Sequence, residues 1–119
     1  MTTLYGLNNC DSCKKARRWL DRFGIAHDFV DYRAQPLAPA ELLEWARQAG
    51  GFDALVNKSS TTWRQLPEAR RSPGSEAEWK LLLREHPPLI RRPVVVTADG
   101  EVSQGFSDNG FKQRFAVGK

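Results

Sequence analysis

A Cys-x-x-Cys pair between a short strand and an amphipathic helix, a strand–helix–strand opening and a strand–strand–helix close predict an α/β chain. The layout is thioredoxin-like: βαβ, a helical insertion, then ββα around a mixed four-stranded sheet. At 119 residues and 13.5 kDa the chain reads as one domain, 1–119, with the insertion over about 38–88.

Each element has a local reason. Thr2-Thr3-Leu4-Tyr5-Gly6 is a short strand. Ala16, Trp19, Leu20 and Phe23 then recur at helical spacing, predicting a helix from about Cys13 to Phe23 that Gly24 stops. Ala26 to Tyr32 reads as a second strand, parallel to the first because a helix crosses between them. Pro36 and Pro39 open a helix from about Ala40 to Ala49, with Leu42, Trp45, Ala46 and Ala49 inward and Gly50-Gly51 as its stop. Asp53 to Val56 reads as a helical turn, Ser59 to Leu66 as a short helix and Arg70 to Gly74 as a loop. Ser75-Glu76-Ala77-Glu78 has the capping-box pattern and opens a helix placing Trp79, Leu82, Leu83 and His86 on one face, closed by Pro87-Pro88. Pro93 to Thr97 is a β-branched run suited to a strand covered on both faces. Asp99-Gly100 signals a two-residue hairpin returning through Glu101 to Gly105, and Ser107 caps a last helix with Phe111 and Phe115 inward. Periodicity assigns Trp19, Trp45 and Trp79 to the core. Trp63 fits either core or cleft, and His27 and His86 read as a strand residue and a helix-end residue.

The chemistry lies in Asn9-Cys10-Asp11-Ser12-Cys13-Lys14-Lys15, which holds both cysteines of the chain. Cys10 falls at or just before the helix start, where free amide N–H groups and the positive dipole end favour a thiolate. Lys14, Lys15, Arg17 and Arg18 add positive charge, although as a helix face they also read as solvated. Structural zinc is disfavoured, since no second cysteine pair exists and neither His27 nor His86 has motif spacing. A structural disulfide would close too small a loop to constrain the unfolded chain much. A nucleophilic Cys10 remains, with Cys13 spaced to resolve a mixed disulfide on it. The first residues carry no apolar h-region and no run approaches a membrane span, so a cytoplasmic chain with reduced thiols is expected. A net charge of +4 is scattered among acids and does not call for nucleic acid.

Leu4-Tyr5-Gly6 leading into Cys10-Asp11-Ser12-Cys13-Lys14-Lys15-Ala16-Arg17 resembles the opening of the ArsC/Spx family. The segment His86-Pro87-Pro88-Leu89-Ile90-Arg91-Arg92-Pro93-Val94-Val95-Val96 resembles its second signature. The likeness runs over essentially the whole chain and is strongest toward the short YffB-type ArsC-like reductases of bacteria. It implies a thioredoxin fold, Cys10 as nucleophile, and Arg92 beside a cis Pro93 facing that cysteine. It also implies glutathione as thiol co-substrate, with no bound cofactor or metal. Partners would be glutathione, a small oxidised thiol or a protein disulfide, met by a monomer.

Several residues keep two readings. From position alone Arg92 is either a solvated edge or a cation for the thiolate or an anionic substrate, and Arg91 is expected to point outward. A cis Arg92-Pro93 bond would free the Arg92 backbone to pair with an extended peptide such as glutathione. Asn9 is a donor near the thiolate or a turn residue, and Lys14 reaches a ligand carboxylate or solvent. Gly105 lies where a tripeptide would pass, or merely ends its strand. Arsenate reductases hold their oxyanion with several arginines. Here Arg92 matches one, Asn57 stands where another is expected, with Lys58 beside it as a partial substitute, and Val102-Ser103-Gln104-Gly105 offers none. The reading is therefore a glutathione-dependent thiol–disulfide reductase with arsenate disfavoured. The alternative is an Spx-like redox-sensing regulator that binds RNA polymerase, with Gly51 and Arg92 at the positions the resemblance assigns to that class.

Overall fold

The computed structural model describes residues 1–116, so the last three residues of the expected domain lie outside it. The chain divides into two compact units, Met1–Asp31 with the segment beginning at Arg92, and Tyr32–Arg91. The first contains β1 (Thr2–Gly6), α1 (Asp11–Arg22), β2 (His27–Asp31), β3 (Val94–Val96), β4 (Val102–Gln104) and α6 (Asp108–Phe115). The second contains α2 (Pro39–Ala49), α3 (Phe52–Leu55), α4 (Thr61–Gln65) and α5 (Glu76–Glu85).

In the first unit the strands run in the order β2-β1-β3-β4, with β1 and β2 parallel and the other pairs antiparallel. The result is the mixed four-stranded sheet of a thioredoxin-like fold. Leu4 pairs with Phe29 on one side and Val95 on the other, so β1 is central and reads as apolar where it is covered. The core joins Leu4, Ala16, Trp19, Leu20, Val95 and Phe111, with Phe23, Phe29, Phe106 and Phe115 packed at its margin. Trp19 meets Phe111 edge-on at 5.3 Å, and its indole N–H donates to Asp108 Oδ1 at 2.8 Å, so α1 and α6 are joined by packing and by a polar bond. Gly24 ends α1 in the left-handed region (φ +66°), as its position predicts, while the Ile25 N–H returns to Leu20 O. Leu20 has no exposed surface. Leu20→Ala is expected to cost about 2–5 kcal/mol, read as a lowered urea midpoint without a change of slope.

The β3–β4 hairpin is one residue longer than its Asp-Gly pair predicts. Thr97 N–H donates to Glu101 O, leaving Ala98, Asp99 and Gly100 as a three-residue loop with Gly100 left-handed at φ +86°. Asp99 Oδ1 accepts from both Thr97 Oγ1 and the Glu101 N–H, and this bracing draws the third residue into the turn. Ser107 caps α6 as expected, accepting from Gly110 N–H at 3.0 Å. Arg114 on that helix donates to Glu101 O, Thr97 Oγ1 and Ser103 Oγ, pinning α6 to the hairpin.

In the middle unit Pro39 occupies the first turn of α2, and Gly50 ends that helix in the left-handed region (φ +98°). Ser60 caps α4, and Ser75 caps α5 by accepting from Glu78 N–H at 3.2 Å. The return arm of the capping box goes to Gly74: the Glu78 carboxylate accepts from Gly74 N–H at 2.8 Å instead of from Ser75. The expected loop at 70–74 begins inside a 3₁₀ turn, Glu68–Arg71, whose Arg70 pairs with Glu85 at 2.7 Å. Trp63 and Trp45 are buried, but Trp79 is only half-buried. Trp79 lies in the first turn of α5, its ring stacked on Phe52 at 6.2 Å and on Trp63 at 6.4 Å, a position that leaves it part of its exposure. Among the described residues no helix is long and apolar enough to cross a membrane.

Candidate functional site

The register of the first unit aligns one end of the sheet. Gly6 ends β1 opposite Asp31 of β2, and one step beyond the Tyr5–Val94 pair brings it level with Pro93. Pro93 O in turn accepts from Gly105 N–H at 2.8 Å. Directly after β1 the chain makes a turn through Asn8 and Asn9, anchored by Asn8 N–H on the Asp31 carboxylate at 3.1 Å. It then enters α1 with Cys10 as the N-cap residue, in extended conformation (φ −95°, ψ 122°). The Arg92–Pro93 peptide bond is cis, as the resemblance implied. Cys10, Cys13, Arg92, Pro93 and Gly105 therefore share the end of the sheet at which α1 begins.

Cys10 is half-buried and Cys13 is 1% exposed; both are free thiols. Burial pushes the Cys10 thiol up, but the amide and thiol of Cys13 and the guanidinium of Arg92 all bear on its sulfur. Together they hold its pKa below the ordinary thiol value. The first-turn amides are unpaired within the helix, and the Cys13 amide is one of them. Cys13 goes the other way. Burial, then the hydrogen bond and negative charge of Cys10, push it up to about 12. Of the two sulfurs, Cys13 therefore keeps its proton the longer and Cys10 is the one that ionises first.

Gly6 is the residue that sequence reading passed over. A Cβ there would lie 2.3 Å from Cys13 Sγ, so only glycine admits that sulfur against β1. A glycine inside an otherwise good strand was the available signal. Asn9 and Lys14 are exposed. Lys14 stands one turn after Cys10 and, with Arg17, Arg18 and Asp21, borders a shallow depression of about 250 Å³. Arg17 also covers the Phe29 ring at 4.3 Å, so its stem is packing as well as charge. Gly105 adopts φ +85°, a positive angle that glycine takes without strain. Arg91 is exposed, as expected, and Arg92 is half-buried.

Asn57 and Lys58 belong to the middle unit, where local contacts occupy them. Asn57 Oδ1 accepts from Ser59 N–H at 3.0 Å, an Asx turn leading toward α4. Lys58 pairs with Asp53 and lies over the Trp63 ring at 5.8 Å. Trp63 is core there.

The chain resembles known proteins over nearly its full length. The ArsC family matches residues 5–113. An uncharacterized protein of Haemophilus influenzae is 40% identical over 116 residues, 98% of this chain and 100% of its own. The global transcriptional regulator Spx of Bacillus subtilis is 31% identical over 97 residues, covering 81% of this chain and 73% of the regulator. Among solved structures, a YffB protein superposes with a TM-score of 0.84 at 34% identity, covering 95% of this chain and 97% of that one. An arsenate reductase (ArsC) related protein from Brucella melitensis gives a TM-score of 0.74 at 34% identity, covering 98% and 95%. With its cysteine pair at the head of α1 and Arg92 on the sulfur, this chain belongs to the ArsC family, with YffB-like and Spx relatives.

Proposed function

We propose that the chain is a thiol–disulfide reductase in which Cys10 is the nucleophile and glutathione the thiol co-substrate. The observation that carries this reading is the Cys10 sulfur, half-buried yet held below the ordinary thiol pKa by Cys13 and Arg92. The Cys10 thiolate attacks one sulfur of an oxidised substrate, forming a mixed disulfide and expelling the other half as a thiolate. A glutathione thiolate then attacks the substrate-derived sulfur of the mixed disulfide, releasing Cys10 as thiolate and leaving a substrate–glutathione disulfide. Two electrons pass to the substrate disulfide, and the expelled thiolate takes a proton from solvent.

Resolution by an external thiol is favoured over resolution by Cys13. At pH 7 a thiol of pKa about 12 is ionised in about one molecule in 10⁵. Loss of the Cys10 charge in the mixed disulfide relieves part of that shift, but burial, its first cause, remains. Arg92 and the helix start supply positive charge for an anionic thiol, and Lys14 is the further candidate cation for a ligand carboxylate. Asn9, the Arg92–Pro93 backbone and Gly105 are the proposed peptide-binding margin. Arsenate is the less favoured substrate. A dianion needs several charge-assisted donors, and Asn57 and Lys58 are engaged with Ser59 and Asp53.

The test is intact mass after incubation with oxidised and reduced glutathione. A glutathione adduct is expected on the native chain and on Cys13→Ser to the same extent, and is expected to be missing from Cys10→Ser. An adduct that builds up only in Cys13→Ser would show that Cys13 resolves it. An adduct that survives Cys10→Ser would overturn the assignment of the nucleophile. The 31% identity to Spx keeps a redox-sensing regulator that binds RNA polymerase as the second reading. Absence of any adduct, with retention of the chain on immobilised RNA polymerase, would favour it.

A further inference from the structure

Three leucines in a row, Leu81-Leu82-Leu83, cannot share one face of a helix that turns about 100° per residue. Leu82 and Leu83 are buried in the middle unit, and Leu81 is left 57% exposed. It lies beside a groove, composed of two depressions of about 150 and 360 Å³ that share Leu37, Leu42 and Arg84 in their walls. The inner depression adds Arg33, and the outer adds Lys80 and Leu81. Every residue lining either depression lies within Tyr32–Arg91.

Apart from the cations and Tyr32, the lining side chains are apolar. No Asp or Glu lines either depression, while Arg33, Lys80 and Arg84 do. Lys80 already pairs with Glu76 one turn back on α5, at 3.1 Å. Arg84 makes no ion pair among the described residues, and it stands where the two depressions meet. Apolar walls with one uncommitted guanidinium at the junction complement an apolar body carrying a single negative head. The combined volume suits a small molecule, whereas docking a folded partner requires a far larger buried area.

We propose that the groove between α2 and α5 binds a small amphipathic monoanion, such as an alkyl carboxylate, with its chain along Leu37, Leu42 and Leu81 and its head on Arg84. The proposal rests on the middle unit alone and does not depend on the reductase reading.

The probe is decanoate, titrated into the ¹⁵N-labelled full chain and followed by amide shifts, with decanol as the neutral control. Saturable shifts are expected at 33–42 and 80–84. Arg84→Glu and exchange of decanoate for decanol are each expected to weaken binding at least about tenfold, the order of effect for loss of one charge-assisted contact. Arg84 and Leu81 are exposed, so Arg84→Glu and Leu81→Glu leave the fold intact, which the unperturbed spectrum of each variant checks. Decanol binding as tightly as decanoate, shifts centred elsewhere, or concentration-dependent dimers that close the groove in sedimentation would each overturn the proposal.

Discussion

At pH 7, iodoacetamide is expected to label Cys10 at least about a hundredfold faster than Cys13 in the native chain. The magnitude follows from two opposing effects. A thiol near 8.5 is ionised in about one molecule in 30 at pH 7, and a thiol near 12 in about one in 10⁵, a ratio of roughly 3,000 before Cys10 is credited with its downward shift. Nucleophilicity falls with pKa at a Brønsted slope near 0.4–0.5, which returns about one and a half decades. Ionisation wins, and the burial of Cys13 widens the gap further. The pH profile carries the sign. Because the folded pKa of Cys10 is lowered, its labelling should persist as pH falls below the usual thiol range. By linkage the thiolate stabilises the fold above the unfolded pKa, and that contribution is lost as pH falls through the folded one. Arg92→Ala removes a cation and a hydrogen bond from the sulfur, so the midpoint of the profile should move upward, with Arg92→Lys in between. A native midpoint at or above about 8.5, or no response to Arg92→Ala, would remove the basis for Cys10 activation.

Gly6→Ala should destabilise the chain by about 1–3 kcal/mol, although replacing glycine with alanine in a strand ordinarily stabilises it. The new methyl would sit 2.3 Å from Cys13 Sγ and 3.3 Å from Cys13 Cβ, and the sulfur is enclosed between α1 and β1. Something must shift, and both neighbours belong to packed elements. A double-mutant cycle isolates the cause. In Cys13→Ala the sulfur is gone, so Gly6→Ala in that background should cost little or should stabilise. Additive effects in urea unfolding would show that Gly6 acts through something other than the Cys13 sulfur.

Much of the site was legible because it is local. Cys10 at a helix start follows from the Ala16, Trp19, Leu20 and Phe23 stripe and the strand before it, and both extend over only a few residues. The caps at Ser75 and Ser107 formed as read because a hydroxyl beside a free amide has few better partners. Less was legible where the outcome depended on what packed nearby. Trp79 has the spacing of a core residue, yet stacking against Phe52 and Trp63 leaves it half-open. The hairpin gained a residue because Asp99 reached both Thr97 and Glu101.

Read alone, the residues determined the element order, the parallel β1–β2 pairing and the place of Cys10 at the head of α1, because periodicity, caps and turns act within a few residues. Only the tertiary structure decided that Cys13 stays protonated. That outcome needs a buried sulfur, a glycine on another element to make room for it, and a neighbouring anion. Desolvation and charge coupling depend on which surfaces meet, and no short window of sequence contains that information.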